Sequence, residues 1–119
     1  MSNINLLSGT AIRTEKGFFY IKNTVRVHIP NRRVLESWRF YKVVNLSEAS
    51  VAHYPIVGKL GFRDGTLLWC IANARYYIIS NNKRLPVQDP EVLKNHGLGF
   101  RDAIIVSKKD LELNAEGVK

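Results

Sequence analysis

A single cysteine, Cys70, is all that the 119 residues contain. One thiol excludes an intrachain disulfide and a thiolate zinc centre. Its apolar neighbours Leu68, Trp69 and Ile71 mark it as a small buried hydrophobe in a strand. Long apolar runs are also missing. Stretches such as Leu67 to Ala72 fall far short of the ~20 residues that a membrane-spanning helix needs, so no membrane span is expected. Between Met1 and Thr10 no basic segment leads into an apolar one, and no secretory signal is read there. Eight glycines and four prolines are scattered singly, which leaves no low-complexity stretch. With 45% hydrophobic and 24% charged residues, the composition is that of a folded globular chain.

Acidic residues are scarce in one half only. Residues 1–59 hold nine Lys/Arg against three Asp/Glu, whereas residues 60–119 hold nine against seven. Most of the net charge of +8 therefore lies in the first half. Such an excess favours an acidic partner, either nucleic acid or an acidic protein surface.

What the sequence does contain is a repeat. Gly9-Thr10-Ala11-Ile12 answers Gly65-Thr66-Leu67-Leu68, and Phe19-Tyr20-Ile21 answers Tyr76-Tyr77-Ile78. Asn23-Thr24-Val25-Arg26 answers Asn81-Asn82-Lys83-Arg84, and Val34-Leu35 answers Val92-Leu93. Val43-Val44-Asn45-Leu46-Ser47 then answers Ala103-Ile104-Ile105-Val106-Ser107, and Gly58 answers Gly117. Residues 1–60 and 61–119 are thus expected to be two pseudo-repeats packed together as one compact domain. The fold class is α+β and sheet-rich. Each repeat is read as a small antiparallel β-meander with one short helix and a terminal helical turn.

The module is read once and checked twice. Short strands are expected at Ala11 to Arg13 and Leu67 to Ile71, then at Phe18 to Lys22 and Arg75 to Ser80. Asparagine-rich turns follow, because asparagine tolerates the left-handed conformation. Third strands run from Val25 to Ile29 and from Lys83 to Val87. In the first of these Val25, Val27 and Ile29 alternate with Arg26 and His28. Asn31 and Asp89 stand where helix N-caps belong, with Pro90 at the first helical position. Val34, Leu35 and Trp38, and Val92 and Leu93, supply the apolar stripe, and Gly97 closes the second helix. Last strands run from Lys42 to Leu46 and from Ala103 to Val106. Ser47 and Ser107 cap the terminal turns, the latter with Asp110 as the acidic end of a capping box.

Chemistry-bearing groups are few and dispersed. His28, His53 and His96 fall in a strand, a terminal turn and a helix end, and none has a histidine as its counterpart in the other repeat. Asp89 and Glu91 suit a helix start. No catalytic, metal or cofactor site is expected, and the chain is read as not an enzyme. The candidate functional residues are instead the cations Lys22, Arg26, Arg32, Arg33, Arg39 and Lys42. They crowd the hairpin and helix of the first repeat beside Phe19, Tyr20, Trp38, Phe40 and Tyr41. Such a face suits docking on an acidic protein. Basic residues with aromatics also suit single-stranded nucleic acid, the alternative reading. A further alternative is a glycan- or cell-envelope-binding module using Trp69, Tyr76 or Tyr77.

Tyr77-Ile78-Ile79-Ser80-Asn81-Asn82-Lys83-Arg84, then Asp89-Pro90-Glu91-Val92-Leu93 and Gly97-Leu98-Gly99-Phe100, resembles a small repeat of bacteriophage virion proteins and bacterial surface proteins. Ile104-Ile105-Val106-Ser107 with Asp110-Leu111 fits the ending of that repeat. Residues 62–118 match best. Residues 7–59 depart from it, with Asn31-Arg32-Arg33 in place of Pro-Glu and Trp38-Arg39-Phe40 where the glycine belongs. The resemblance implies a passive binding or assembly unit, and for a small free-standing pair a virion component of head, neck, tail or fibre. Its partners would be other virion proteins or copies of itself, with nucleic acid second.

Overall fold

The computed structural model describes residues 4–40, 42–89, 91–95 and 97–117. Tyr41 of the aromatic-basic cluster, Pro90 at the helix start, His96 and the side chain of Val92 lie outside the described residues. The chain divides into two compact units, Met1–Leu60 and Gly61–Lys119.

In the first unit three strands form a meander: β1 (Ala11–Thr14), β2 (Gly17–Lys22) and β3 (Val25–His28). Helix α1 (Arg32–Trp38) leads to β4 (Val43–Asn45), and α2 (Glu48–Val51) leads to β5 (Ile56–Lys59). The strand order is β4-β1-β2-β3-β5. Hairpins make the central pairings antiparallel, whereas β4 runs parallel to β1 and β5 parallel to β3. A parallel neighbour requires a crossover, and each helix is one. Helix α1 crosses one face of the sheet, where Trp38 and Phe40 meet Tyr20 with ring centroids 5.2 and 5.8 Å apart. The turn of α2 crosses the other face. There Val51 and Tyr54 close over Ile12, Phe19 and Ile21, all nearly inaccessible to solvent.

The second unit repeats this plan. Its strands are β6 (Leu67–Cys70), β7 (Arg75–Ser80), β8 (Lys83–Pro86), β9 (Ile104–Val106) and β10 (Ala115–Glu116). Helix α3 (Glu91–Asn95) precedes a 3-10 turn at Phe100–Asp102, and α4 (Lys108–Leu111) precedes β10. The order is β9-β6-β7-β8-β10, with β9 parallel to β6 and β10 parallel to β8. The fold is therefore α+β and sheet-rich, with two sheets of like topology. The expected antiparallel meander accounts for three strands in each unit. The parallel edge strands β5 and β10 were not foreseen, since β5 is exposed at every position and β10 has two residues.

Shared hydrogen bonds fix the register of the repeat. Gly9 N–H donates to Ile21 O and Gly65 N–H to Ile79 O, both at 2.7 Å. Ile29 N–H donates to Phe18 O and Val87 N–H to Tyr76 O, both at 2.9 Å. The hydroxyls of Thr10 and Thr66 each donate to the carbonyl three residues back. On the second strand, then, Phe19 corresponds to Tyr77 and Ile21 to Ile79, one residue away from the match read in the sequence. A one-residue slip exchanges the two faces of a strand. Phe19 and Tyr77 are accordingly the buried pair, and Tyr20 and its counterpart Ile78 lie on the opposite face of their strands.

Each unit latches its N-terminal arm to the residue that follows the terminal turn. Tyr54 Oη accepts from Leu6 N–H at 2.8 Å. In the second unit Asn114, 1% exposed, accepts from Phe62 N–H at 2.8 Å and donates to Phe62 O at 3.1 Å. The arm passes so close that a Cβ on Gly61 would lie 2.7 Å from Leu113 O and 2.8 Å from the Asn114 side chain. The expected caps are in place. Asn31 accepts from Val34 N–H, Ser47 from Ser50 N–H, and Ser107 and Asp110 complete a capping box. Cys70 is buried, as its neighbours implied.

Two substitutions test this account by urea unfolding. Arg39 ends α1 at φ 51°, the left-handed conformation that Gly97 supplies after α3 at φ 70°. A side chain there costs about 1–2 kcal/mol of backbone strain, so Arg39→Gly is expected to raise stability by roughly 0.5–1 kcal/mol. Gly61→Ala is expected to lower it by about 1–3 kcal/mol, because backbone and Asn114 must shift together.

Candidate functional site

The residue types that carry charge chemistry converge in one place, on the α2 side of the first sheet. Arg26 enters from β3 and is only 3% exposed. Its guanidinium grips Glu48 in a fork, Nη1 to Oε2 at 2.6 Å and Nη2 to Oε1 at 2.8 Å. Its Nε donates to Tyr54 O at 2.8 Å, and its plane lies 4.7 Å from the Phe19 ring centre. The Thr14 hydroxyl donates to the same carboxylate, and Lys16 Nζ stands 3.9 Å from it. The Arg26 hydrogen bonds hold the Glu48 carboxyl down to about 2 from an ordinary 4.5, against the opposing effect of burial and with help from Thr14 and Lys16. Each of the three guanidinium nitrogens has a partner. This is a structural clamp that ties the α2 turn to the sheet.

That finding corrects one expected docking residue. Arg26 alternates onto the covered face of β3 and is committed to Glu48, so it offers nothing to a partner. The other five cations are exposed. Lys22 ends β2 beside the hairpin turn, and Lys42 precedes Val43, which pairs with Ala11 toward that same end of the sheet. Arg32 and Arg33 open α1, which departs near Phe18 at the other end, and Arg39 caps it. The structure brings Lys22 and Lys42 toward one end and separates them from Arg32 and Arg33.

The surface that sequence reasoning undervalued lies on the second unit. Trp69 of β6 and Tyr76 of β7 are cross-strand partners, with ring centroids 4.6 Å apart. With Ala103 and Ile105 they line an open groove of about 360 Å³. Ile105 is 53% exposed, and Ile71 just past β6 is 65% exposed. The first unit has Arg13, Phe18 and Asn45 at the equivalent positions, with the Arg13 guanidinium 5.5 Å from the Phe18 ring centre. A cation over a ring stands where the second unit has an apolar patch. Alternation along β6 carried the signal: Leu68 and Cys70 are core, so Trp69 faces outward. Tyr77, offered in the sequence as an exposed aromatic, is buried, and its hydroxyl accepts from Asn73.

His28 packs its ring 5.6 Å from Phe19, and His53 bonds Ile4 O at 2.7 Å through Nε2. Among the described residues no group of three or more His, Cys, Asp or Glu is placed to hold a metal, and no helix is long and apolar enough to cross a membrane. No protein-family model, curated protein or solved structure matches the chain.

The clamp has a measurable pH signature. Folding lowers the Glu48 pKa, so its stabilisation is fully present above about 4.5 and is lost as pH falls toward about 2. The full effect is at most roughly 3 kcal/mol, since Glu48 keeps 18% of its side chain exposed. Urea unfolding at pH 7 and pH 3 should show this loss. Glu48→Gln is expected to cost about 2–4 kcal/mol at pH 7 and to flatten the dependence between these pH values.

Proposed function

We propose that this chain is a non-enzymatic binding and assembly protein, a bacteriophage virion component that acts through protein–protein contacts. The observation that carries the reading is the Trp69–Tyr76–Ile105 groove. Cores of protein interfaces are enriched in Trp and Tyr and depleted in charge, and such anchors dominate binding when a partner covers them. The groove sits on a rigid sheet, so its rings are set before a partner arrives. Support for a virion setting comes from the repeat resemblance in residues 62–118. The partner is another virion protein or a second copy of the chain. Edge strand β5, with Ile56 and Val57 exposed by 44% and 42%, adds a surface on which copies can pair.

The nucleic-acid reading is weakened by the withdrawal of Arg26 into the clamp. A glycan-binding reading keeps one specific observation in its favour, the Trp69–Tyr76 ring pair.

Ile105→Arg places a charge in the groove without touching the core. It is expected to abolish comigration with assembled particles on a density gradient while leaving the circular dichroism spectrum and melting temperature unchanged. Comigration that survives this change removes the groove from the proposal. Quenching of Trp69 fluorescence by cell-wall oligosaccharides would install the glycan reading in its place. Salt-sensitive retention on DNA, lost in Arg32/Arg33→Glu, would install the nucleic-acid one.

A further inference from the structure

Two copies of one fold offer an internal comparison at the clamp. In the first unit Ser47 caps the terminal turn and Glu48 follows it, seated on Arg26. In the second unit Ser107 caps the turn and Lys108 follows it, so a cation stands at the position of the carboxylate. The arginine itself is retained. Arg84 Nη1 donates to Leu111 O at 2.9 Å and to Asn114 O at 2.6 Å, tying down the turn as Arg26 does through Tyr54 O. Its Nε and Nη2 have no protein partner among the described residues; they form the side edge of the guanidinium, which can fork onto a carboxylate, whereas Arg26 holds Glu48 through its end edge, Nη1 and Nη2.

A cavity of about 170 Å³ adjoins Arg84, lined also by Arg75, Tyr77 and Lys108, with Glu112 and Glu116 on its walls. By register it occupies the place that Glu48 fills in the first unit. Arg75 pairs with Cys70 on the same face, and Tyr77 stands at the position of Phe19. The volume is well below the roughly 300–1,000 Å³ of pockets that enclose drug-sized ligands, which limits the occupant to a single side-chain head. Three cations against two carboxylates leave the walls positive by one. The two open nitrogens of Arg84 match the two oxygens of a carboxylate, the group that occupies the equivalent place in the first unit.

We propose that Arg84, flanked by Arg75 and Lys108, receives the carboxylate of an acidic side chain from a partner protein on its Nε–Nη2 edge, in the place that Glu48 takes beside Arg26. The site lies on the opposite face of the sheet from the Trp69 groove and does not depend on it. The first unit carries its own carboxylate and is closed. The second has kept the receptor and given up the occupant.

The test follows the Arg84 Nε–Hε signal in ¹H–¹⁵N spectra of the whole chain. The probe is the blocked peptide acetyl-Ala-Glu-Ala-amide, compared with its glutamine analogue and with inorganic phosphate at equal ionic strength. The glutamate peptide is expected to shift this signal saturably, and the other two are not. Lys108→Gln leaves the cavity open but removes one flanking cation, so it should weaken binding several-fold without abolishing it. Lys108→Glu refills it from within, and there the signal should start near its bound position and peptide affinity should fall by at least about tenfold. Lys108 is exposed, so both variants keep the fold. An Arg84 signal that the glutamate peptide leaves unmoved overturns the site. So does a Lys108→Glu variant that binds as well as Lys108→Gln. Phosphate binding as tightly as the peptide overturns the choice of a carboxylate.

Discussion

In each unit an arginine from the third strand reaches across the sheet and holds the carbonyl that ends the terminal helical turn. Arg26 takes Tyr54 O, and Arg84 takes Asn114 O and Leu111 O. The turn has only four helical residues in either unit, too few to persist alone. It also brings the apolar lid, Val51 or Leu111, over the buried face. Without the arginine those carbonyls would lose a charged donor and the lid its anchor. The fifth strand can pair beside the third only because the turn before it is pinned there. The residues so held, Tyr54 and Asn114, are also the ones whose side chains latch the N-terminal arm.

Much of this was legible in the sequence, because local chemistry decided it. Asn23 and the Asn81-Asn82 pair adopt the positive φ that tight hairpins demand, and Ser107 with Asp110 forms the capping box that the spacing announced. The duplication was legible for the same reason, since turns and caps punctuate both halves at matching places. Face assignment on the second strand was harder. Phe18-Phe19-Tyr20 and Tyr76-Tyr77-Ile78 are apolar on both sides, so no polar alternation marks the register, and a match by residue type settles one position off. Cross-strand hydrogen bonds remove the ambiguity.

The parts that escaped sequence reading are those set by distant partners. An arginine in a strand of alternating Val25-Arg26-Val27-His28 is expected to face solvent, and its partners on the covered face, Glu48 and the carbonyl of Tyr54, come 22 and 28 residues later. The edge strands β5 and β10 lack hydrophobic alternation, and they exist because a pinned crossover delivers them beside β3 and β8. The groove at Trp69 was undervalued for a related reason. Its aromatics are ordinary strand residues until burial of Leu68 and Cys70 shows which face is left outside.

Duplication changes what each copy must do. A single copy has to satisfy its clamp and present its binding surface with the same residues. With two copies, the first unit pairs its arginine with its own carboxylate, carries Arg13 over Phe18 on its outer face, and closes on itself. The other copy retains the backbone grip of Arg84 while Lys108 and Trp69 replace the residues that would close its two faces. The carbonyl contacts are the part of the grip that both copies keep. The carboxylate at Glu48 is an addition to that grip, so its loss in the second unit leaves the fold standing and exposes a charged fork. Fold and recognition are thereby separated within one guanidinium: one edge holds the chain, and the other edge is available to whatever acidic group reaches it.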